Sequence, residues 1–191
     1  MLRLKKSKFT ADEYLAMERV ADYKSEFYGG EIFAFAGATF DHNIIALNCA
    51  AELRQLLIAK SCRIGNSDTR LHIPRSGLFT YPDVMVICGK VQFYDRRKDI
   101  VLNPLLLVEV LSESTRDYDR SGKFAFYKQI PDLQEYVLIE SERPRVECYR
   151  RTAGGLWVFE AFDGLDAVVR FESVACEIPC RALYLQVSWV D

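Results

Sequence analysis

The chain has 191 residues, half of them hydrophobic and 13% aromatic, and 25 Lys and Arg stand against 27 Asp and Glu for a net charge of −2. That balance excludes a disordered chain, which combines low hydrophobicity with high net charge, and disfavours tight non-specific binding to nucleic acid, which needs Lys and Arg to neutralise phosphates. One domain over residues 1–191 is the simplest organisation, and no apolar run reaches the length of about eighteen residues that a membrane-spanning helix requires.

The N-terminal Met1-Leu2-Arg3-Leu4-Lys5-Lys6 is basic with no apolar run behind it, so no secretory signal is expected. Thr10 followed by Glu13 reads as a capping box that starts a short helix ending near Arg19. Lys24–Tyr28 and Glu31–Ala36 read as strands around the turn signal Gly29-Gly30. A long helix is predicted over Phe40–Lys60, with Ile45, Cys49, Leu53 and Leu56 as its buried stripe. Short strands follow at Cys62–Gly65 and Thr69–Pro74, then a turn at Ser76-Gly77 and a strand over Tyr81–Ile87. The polar stretch Lys90–Asn103 reads as irregular. Pro104–Ser112 is a continuous apolar run interrupted by Glu109, the pattern of a strand buried on both faces.

A helix over Arg116–Gln129, capped by Thr115 or Ser112 and stopped by Pro131, comes next. It is followed by a strand at Gln134–Glu140 and a hairpin of Arg145–Arg151 with Leu156–Phe162 across Gly154-Gly155. A last strand near Ala167–Phe171 leads into a short helix or turn and a tail. The order predicts an α/β core with a central mixed sheet flanked by helices, extended by hairpins at both ends.

The six cysteines, at 49, 62, 88, 148, 176 and 180, form no CxxC pair, which disfavours structural zinc. They are expected to be free buried thiols in a reducing cytoplasm. Neither GxxxxGK[ST] nor GxGxxG occurs, so no nucleotide cofactor is expected.

The chemistry concentrates on acids in apolar settings. An ionised Glu109 on a core strand needs a compensating cation, from the protein or a metal. Asp83 opens another buried strand. If the two strands are neighbours, both carboxylates can converge on one ion, and such a set suits magnesium; alternatively, each acid caps a turn or pairs with an arginine. Asp119, Lys123 and Tyr127 share one helix face. Lys123 either serves the same site or makes an ordinary surface pair with Asp119. His42, at the start of the long helix, is a proton carrier or a packing residue, and Glu31 offers a third acid. His72 has no identifiable partner. Arg96-Arg97-Lys98, Arg143, Arg145, Arg150 and Arg151 are the basic groups that could form a local nucleic-acid face.

Tyr81-Pro82-Asp83-Val84, Leu107-Val108-Glu109-Val110-Leu111-Ser112, Ser114-Thr115, Asp119, Lys123, Tyr127 and Leu133-Gln134-Glu135-Tyr136, with Glu31 and His42-Asn43, resemble the Uma-type family of putative restriction endonucleases. The resemblance runs from about Thr10 to Tyr184. It implies the restriction-endonuclease-like fold of the PD-(D/E)XK nuclease superfamily and a magnesium-dependent site in which manganese can substitute. Asp83 matches the first acid of that superfamily's pattern and Glu109 the second. The superfamily's lysine usually follows two residues after the second acid, where this chain has Leu111; Lys123 matches the lysine supplied instead from the next helix.

Two functions are therefore expected. The first is a metal-dependent endonuclease acting on DNA. Asp83, Glu109 and the carbonyl of Val110 would bind the ion, Lys123 would serve the attacking water, Glu31 and His42 would shape the edge, and a homodimer would supply two sites for two strands. The alternative is a non-catalytic nucleic-acid or protein-binding module on the same fold.

Overall fold

In the computed structural model, which describes residues 8–34 and 37–190, the strands assemble into two six-stranded sheets and a separate two-stranded one. The basic N-terminal hexapeptide and the end of the expected Glu31–Ala36 strand lie outside the described residues. Helix α1 (Ala11–Glu18) opens with the capping box: Glu13 N–H donates to the Thr10 hydroxyl at 3.2 Å, and Thr10 N–H donates to the Glu13 carboxylate at 2.9 Å.

The first sheet runs β2 (Glu31–Ala34), β1 (Ser25–Tyr28), β5 (Leu78–Thr80), β4 (Arg70–Ile73), β8 (Arg97–Val101), β7 (Phe93–Tyr94). Gly29 and Gly30 hold φ of 61° and 87° between β1 and β2, the left-handed pair that a two-residue hairpin requires. This hairpin does not extend the central sheet, as the sequence suggested; it builds a second one. Lys90–Asn103 is not irregular either. Its polarity reflects a hairpin at a sheet end, β7 to β8, turned by Asp95 and Arg96 at positive φ.

The central sheet runs β12 (Trp157–Asp163), β11 (Arg145–Arg151), β10 (Glu135–Glu140), β9 (Leu106–Leu111), β6 (Val84–Cys88), β3 (Cys62–Asn66). Only β9 and β10 pair in parallel, so the sheet is mixed. Both are buried at every position, as continuous apolar runs demand. Pro82 cannot donate to a ladder, and pairing begins only at Val84, which leaves Asp83 just outside the strand.

Alternation sends Val84, Val86, Val108 and Val110 to one face, where they meet Ile45, Cys49, Leu53 and Leu57 of α2 (Phe40–Leu57). Leu57, not Leu56, completes that stripe; Leu56 is exposed. Met85, Leu107 and Leu111 point the other way, onto Tyr127, Ile130 and the first sheet's Leu71, Ile73 and Leu78. The helix on this face begins as α3 (Arg116–Tyr118), widens into a π-helical turn over Asp119–Lys123 and ends as α4 (Phe124–Tyr127). Thr115 precedes it without a side-chain cap bond; its hydroxyl lies 2.9 Å from that of Ser112.

The C-terminal region is more ordered than a turn and tail. β13 (Val168–Phe171) pairs with β14 (Cys176–Pro179), and α5 (Cys180–Leu183) packs against α2. The expectation of six free thiols fails for one pair. Cys62 and Cys88 face each other across β3 and β6 and form a disulfide, a juxtaposition that spacing along the chain does not reveal. Cys49, Cys148, Cys176 and Cys180 are free and buried. Among the described residues no helix is long and apolar enough to cross a membrane.

Candidate active site

The two acids do lie side by side. β6 and β9 are antiparallel neighbours with Val84 opposite Val108, which sets Asp83 beside the middle of β9. There its Oδ2 accepts the Val110 N–H at 2.8 Å. The same oxygen lies 3.3 Å from His42 Nε2. His42 sits in the first turn of α2, which the Thr39 hydroxyl caps by accepting the His42 N–H at 3.2 Å. Burial disfavours the His42 imidazolium, but the Asp83 carboxylate and the Val110 backbone outweigh it and raise its pKa above the ordinary value. Its buried Nδ1 has no hydrogen-bond partner among the described residues.

Glu109 is 3% exposed. Its Oε1 accepts the Tyr127 hydroxyl at 2.6 Å and lies 3.0 Å from Lys123 Nζ. Lys123 also stands 3.4 Å from Asp119 Oδ1 and 3.7 Å from Glu26 Oε1, so three carboxylates surround one buried ammonium. Asp119 and Lys123 open and close the π-helical turn and both are buried, while the Tyr136 hydroxyl donates to the Asp119 carbonyl at 3.1 Å. Gly122 completes the turn; a Cβ there would come within 2.8 Å of the Tyr118 ring.

Burial pushes the Glu109 carboxyl up to about 8. Asp83 and Asp119 push the same way, and Lys123 and the Tyr127 hydroxyl oppose them. Burial also works against the Lys123 ammonium, yet the three acids outweigh it and hold its pKa well above the usual lysine range.

These groups line a cavity of about 690 Å³. Glu26, Asp83, Glu109, Asp119, Lys123 and His42 contribute to its walls, together with Ser112, Ser114 and Thr115 and the rings of Tyr28, Phe33, Tyr118 and Phe126. Of the residues singled out from sequence, Asp83, Glu109, Val110, Lys123 and His42 thus meet in one place. Glu31 does not: it is exposed at the start of β2, outside the cavity lining. The acid delivered by that hairpin is Glu26, whose carboxylate accepts the Thr80 hydroxyl and, at 3.4 Å, that of Tyr118. Alternation was the available signal, since Glu26 precedes Phe27, which turns the other way onto Tyr14 and Phe79. His72 lies elsewhere, stacked on Phe79 at 3.9 Å with Nδ1 3.0 Å from the Leu78 carbonyl.

The sequence model of the Uma2 family, described as "Putative restriction endonuclease", matches residues 11–179. The chain belongs to this family. Two Synechocystis relatives span nearly the same length: uncharacterized protein sll1609, 41% identical over 85% of this chain and 92% of its own, and uncharacterized protein slr1290, 34% identical over 92% and 93%. The crystal structure of a putative nuclease from Anabaena variabilis superimposes with a TM-score of 0.74, covering 91% of this chain and 96% of that one; at 20% identity the likeness is one of fold.

The position two residues after Glu109, where the sequence carries Leu111, holds no cation. Leu111 is fully buried in the apolar cluster with Met85 and Tyr127, which leaves no room for an ammonium on the strand. Lys123 reaches Glu109 from the helix instead. Among the described residues no three His, Cys, Asp or Glu side chains form a ready cage for a metal. Asp83 and Glu109 both line the cavity, and oxygen donors of this kind fit a hard cation that keeps several of its waters. Glu109, driven toward its neutral form by burial and by Asp83, is the group whose charge such a cation would restore.

Proposed function

We propose that the protein is a metal-dependent phosphodiester hydrolase acting on nucleic acid, with DNA as the expected substrate. The observation that carries this reading is the meeting of Asp83 and Glu109 in one cavity with a buried ammonium 3.0 Å from Glu109. Asp83 and Glu109, with the Val110 carbonyl, would hold magnesium, or manganese in its place. When bound, the ion would polarise the phosphate and lower the pKa of a coordinated water. Asp83 is already positioned by the Val110 N–H and by His42. Lys123, fixed between Glu109 and Asp119, would orient the attacking water and offset the charge that grows on the phosphate. His42, its Nδ1 without a partner among the described residues, would donate a hydrogen bond to a phosphate oxygen or carry a proton at the site's edge. Tyr127 would keep Glu109 in its rotamer. A homodimer would allow both strands of a duplex to be cut; a single strand needs only one copy.

Incubation with plasmid DNA and with oligonucleotides in magnesium or manganese tests this. Cleavage is expected from the wild type, with a loss of at least about a hundredfold in Asp83→Ala and in Glu109→Ala. Cleavage undiminished in both variants, or absent from the wild type with every metal and nucleic-acid form, would overturn the proposal. The second reading, a binding module, draws on the same 3.0 Å contact, because a lysine that neutralises Glu109 leaves no demand for an ion. It expects no magnesium binding at Asp83 and Glu109 in a calorimetric titration.

A further inference from the structure

We infer that the substrate class of this site is a single-stranded nucleic acid, with a base laid on the aromatic rim of the cavity; the inference rests on the hydrolase reading above. The rim and the floor differ in chemistry. Acids, Lys123 and His42 form the floor, and Glu109 and Lys123 are only 3% and 4% exposed. At the mouth, Phe33, Tyr28 and Tyr118 are 48%, 42% and 39% exposed, large rings left open to solvent beside a concave site. Phe33 lies directly opposite Glu26 in the β1–β2 register, so the ring and the buried acid share one face of the hairpin. Tyr28 and Phe126 stand with ring centroids 4.6 Å apart and widen the platform.

The charge of the described lining favours one strand form. Lys123 is the only Lys or Arg among the described residues lining the cavity, and it is engaged by three carboxylates. Duplex binding draws much of its affinity from cations set against a dense row of phosphates. Here four carboxylates, Glu26, Asp83, Glu109 and Asp119, face Lys123 and His42. Stacking on aromatic rings needs no such charge, tolerates any base and requires bases that are not held in a duplex. A strand with one base on Phe33 would direct its phosphate toward Asp83 and Glu109, where a bound divalent ion would offset the local negative charge.

The test is fluorescence anisotropy with calcium in place of magnesium. The probes are labelled oligothymidylate and oligouridylate of about twelve nucleotides and a duplex of the same length. Binding of one or both single strands at least about tenfold tighter than the duplex is expected, with a weak dependence on salt. Phe33→Ala should weaken single-strand binding by about 5- to 100-fold, and Phe33→Trp should keep it. The two single strands distinguish a DNA from an RNA ligand. Duplex binding as tight as single-strand binding, or an unchanged affinity in Phe33→Ala, would overturn the inference. The companion magnesium assay separates the two claims. Duplex cleavage with no single-strand preference leaves the hydrolase and removes the stacking platform; preferential single-strand binding without cleavage in any metal does the reverse.

Discussion

Lys123 and Glu109 illustrate how little a single side chain means outside its neighbourhood. From spacing, Lys123 could as well have been half of a solvated pair with Asp119; in the fold it is a buried ammonium among three acids. Removing it leaves those acids uncompensated, so Lys123→Ala should lose about 3–5 kcal/mol of stability at neutral pH in chemical denaturation, and magnesium should restore part of the loss. The acids were legible because carboxylates interrupt or open runs that otherwise read as core. Glu26 was only half legible: alternation turns it away from Phe27, but the hairpin register sets Glu31 on the same face, and only the fold shows which of the two reaches the cavity. Glu109 also sets a pH dependence. Its folded value of about 8 exceeds the ordinary 4.5, so between those values the folded protein keeps a proton that the unfolded chain has lost. Stability without metal should therefore fall as pH rises through that window. A divalent ion competes with this proton. Calorimetric titration of magnesium at pH about 7 in two buffers of different ionisation heat should reveal proton release, which Glu109→Gln should abolish.

The helix that carries Lys123 is held from outside as well as beneath. Arg120, inside the π-helical turn, reaches Glu140 of β10 at 2.6 Å and Glu147 of β11 at 3.0 Å, and Arg116 adds a contact to Glu140 at 3.2 Å. Burial raises the Glu147 carboxyl, but Arg120 and Arg145 outweigh it and the net shift is downward. A lowered folded value gives stability that is present above the ordinary 4.5 and lost as pH falls below it. Arg120→Ala should cost about 3 kcal/mol at neutral pH, less in acid, and should slow cleavage by loosening Lys123; thermal melts at both pH values and the oligonucleotide assay check this. Element boundaries followed the same logic. Long periodic or continuous patterns, α2 and β9, were readable. The polar β7–β8 hairpin and the short β5 and β14 were not, because edge and three- or four-residue strands are fixed by their partners more than by their own residues.

At the scale of the whole molecule, the sequence order implied one extended sheet, whereas the chain builds two of six strands each. The difference is one of long-range pairing: β1 pairs with β5 and β4 with β8, choices made by contacts far apart in sequence. The Cys62–Cys88 bond was hidden for the same reason. That second sheet matters for function, since it supplies Glu26 and Phe33 to the cavity while the central sheet supplies Asp83 and Glu109. The family pattern located the acids of the central sheet and the helical lysine, but the wall opposite them came only with the fold. A crystal soaked in manganese, read by anomalous scattering, tests the proposed ion site between the two acids without relying on turnover. A peak within about 2.0–2.3 Å of carboxylate oxygens of both Asp83 and Glu109 is expected. A map with no peak there, and Glu109 still closed onto Lys123 and Tyr127, would contradict it.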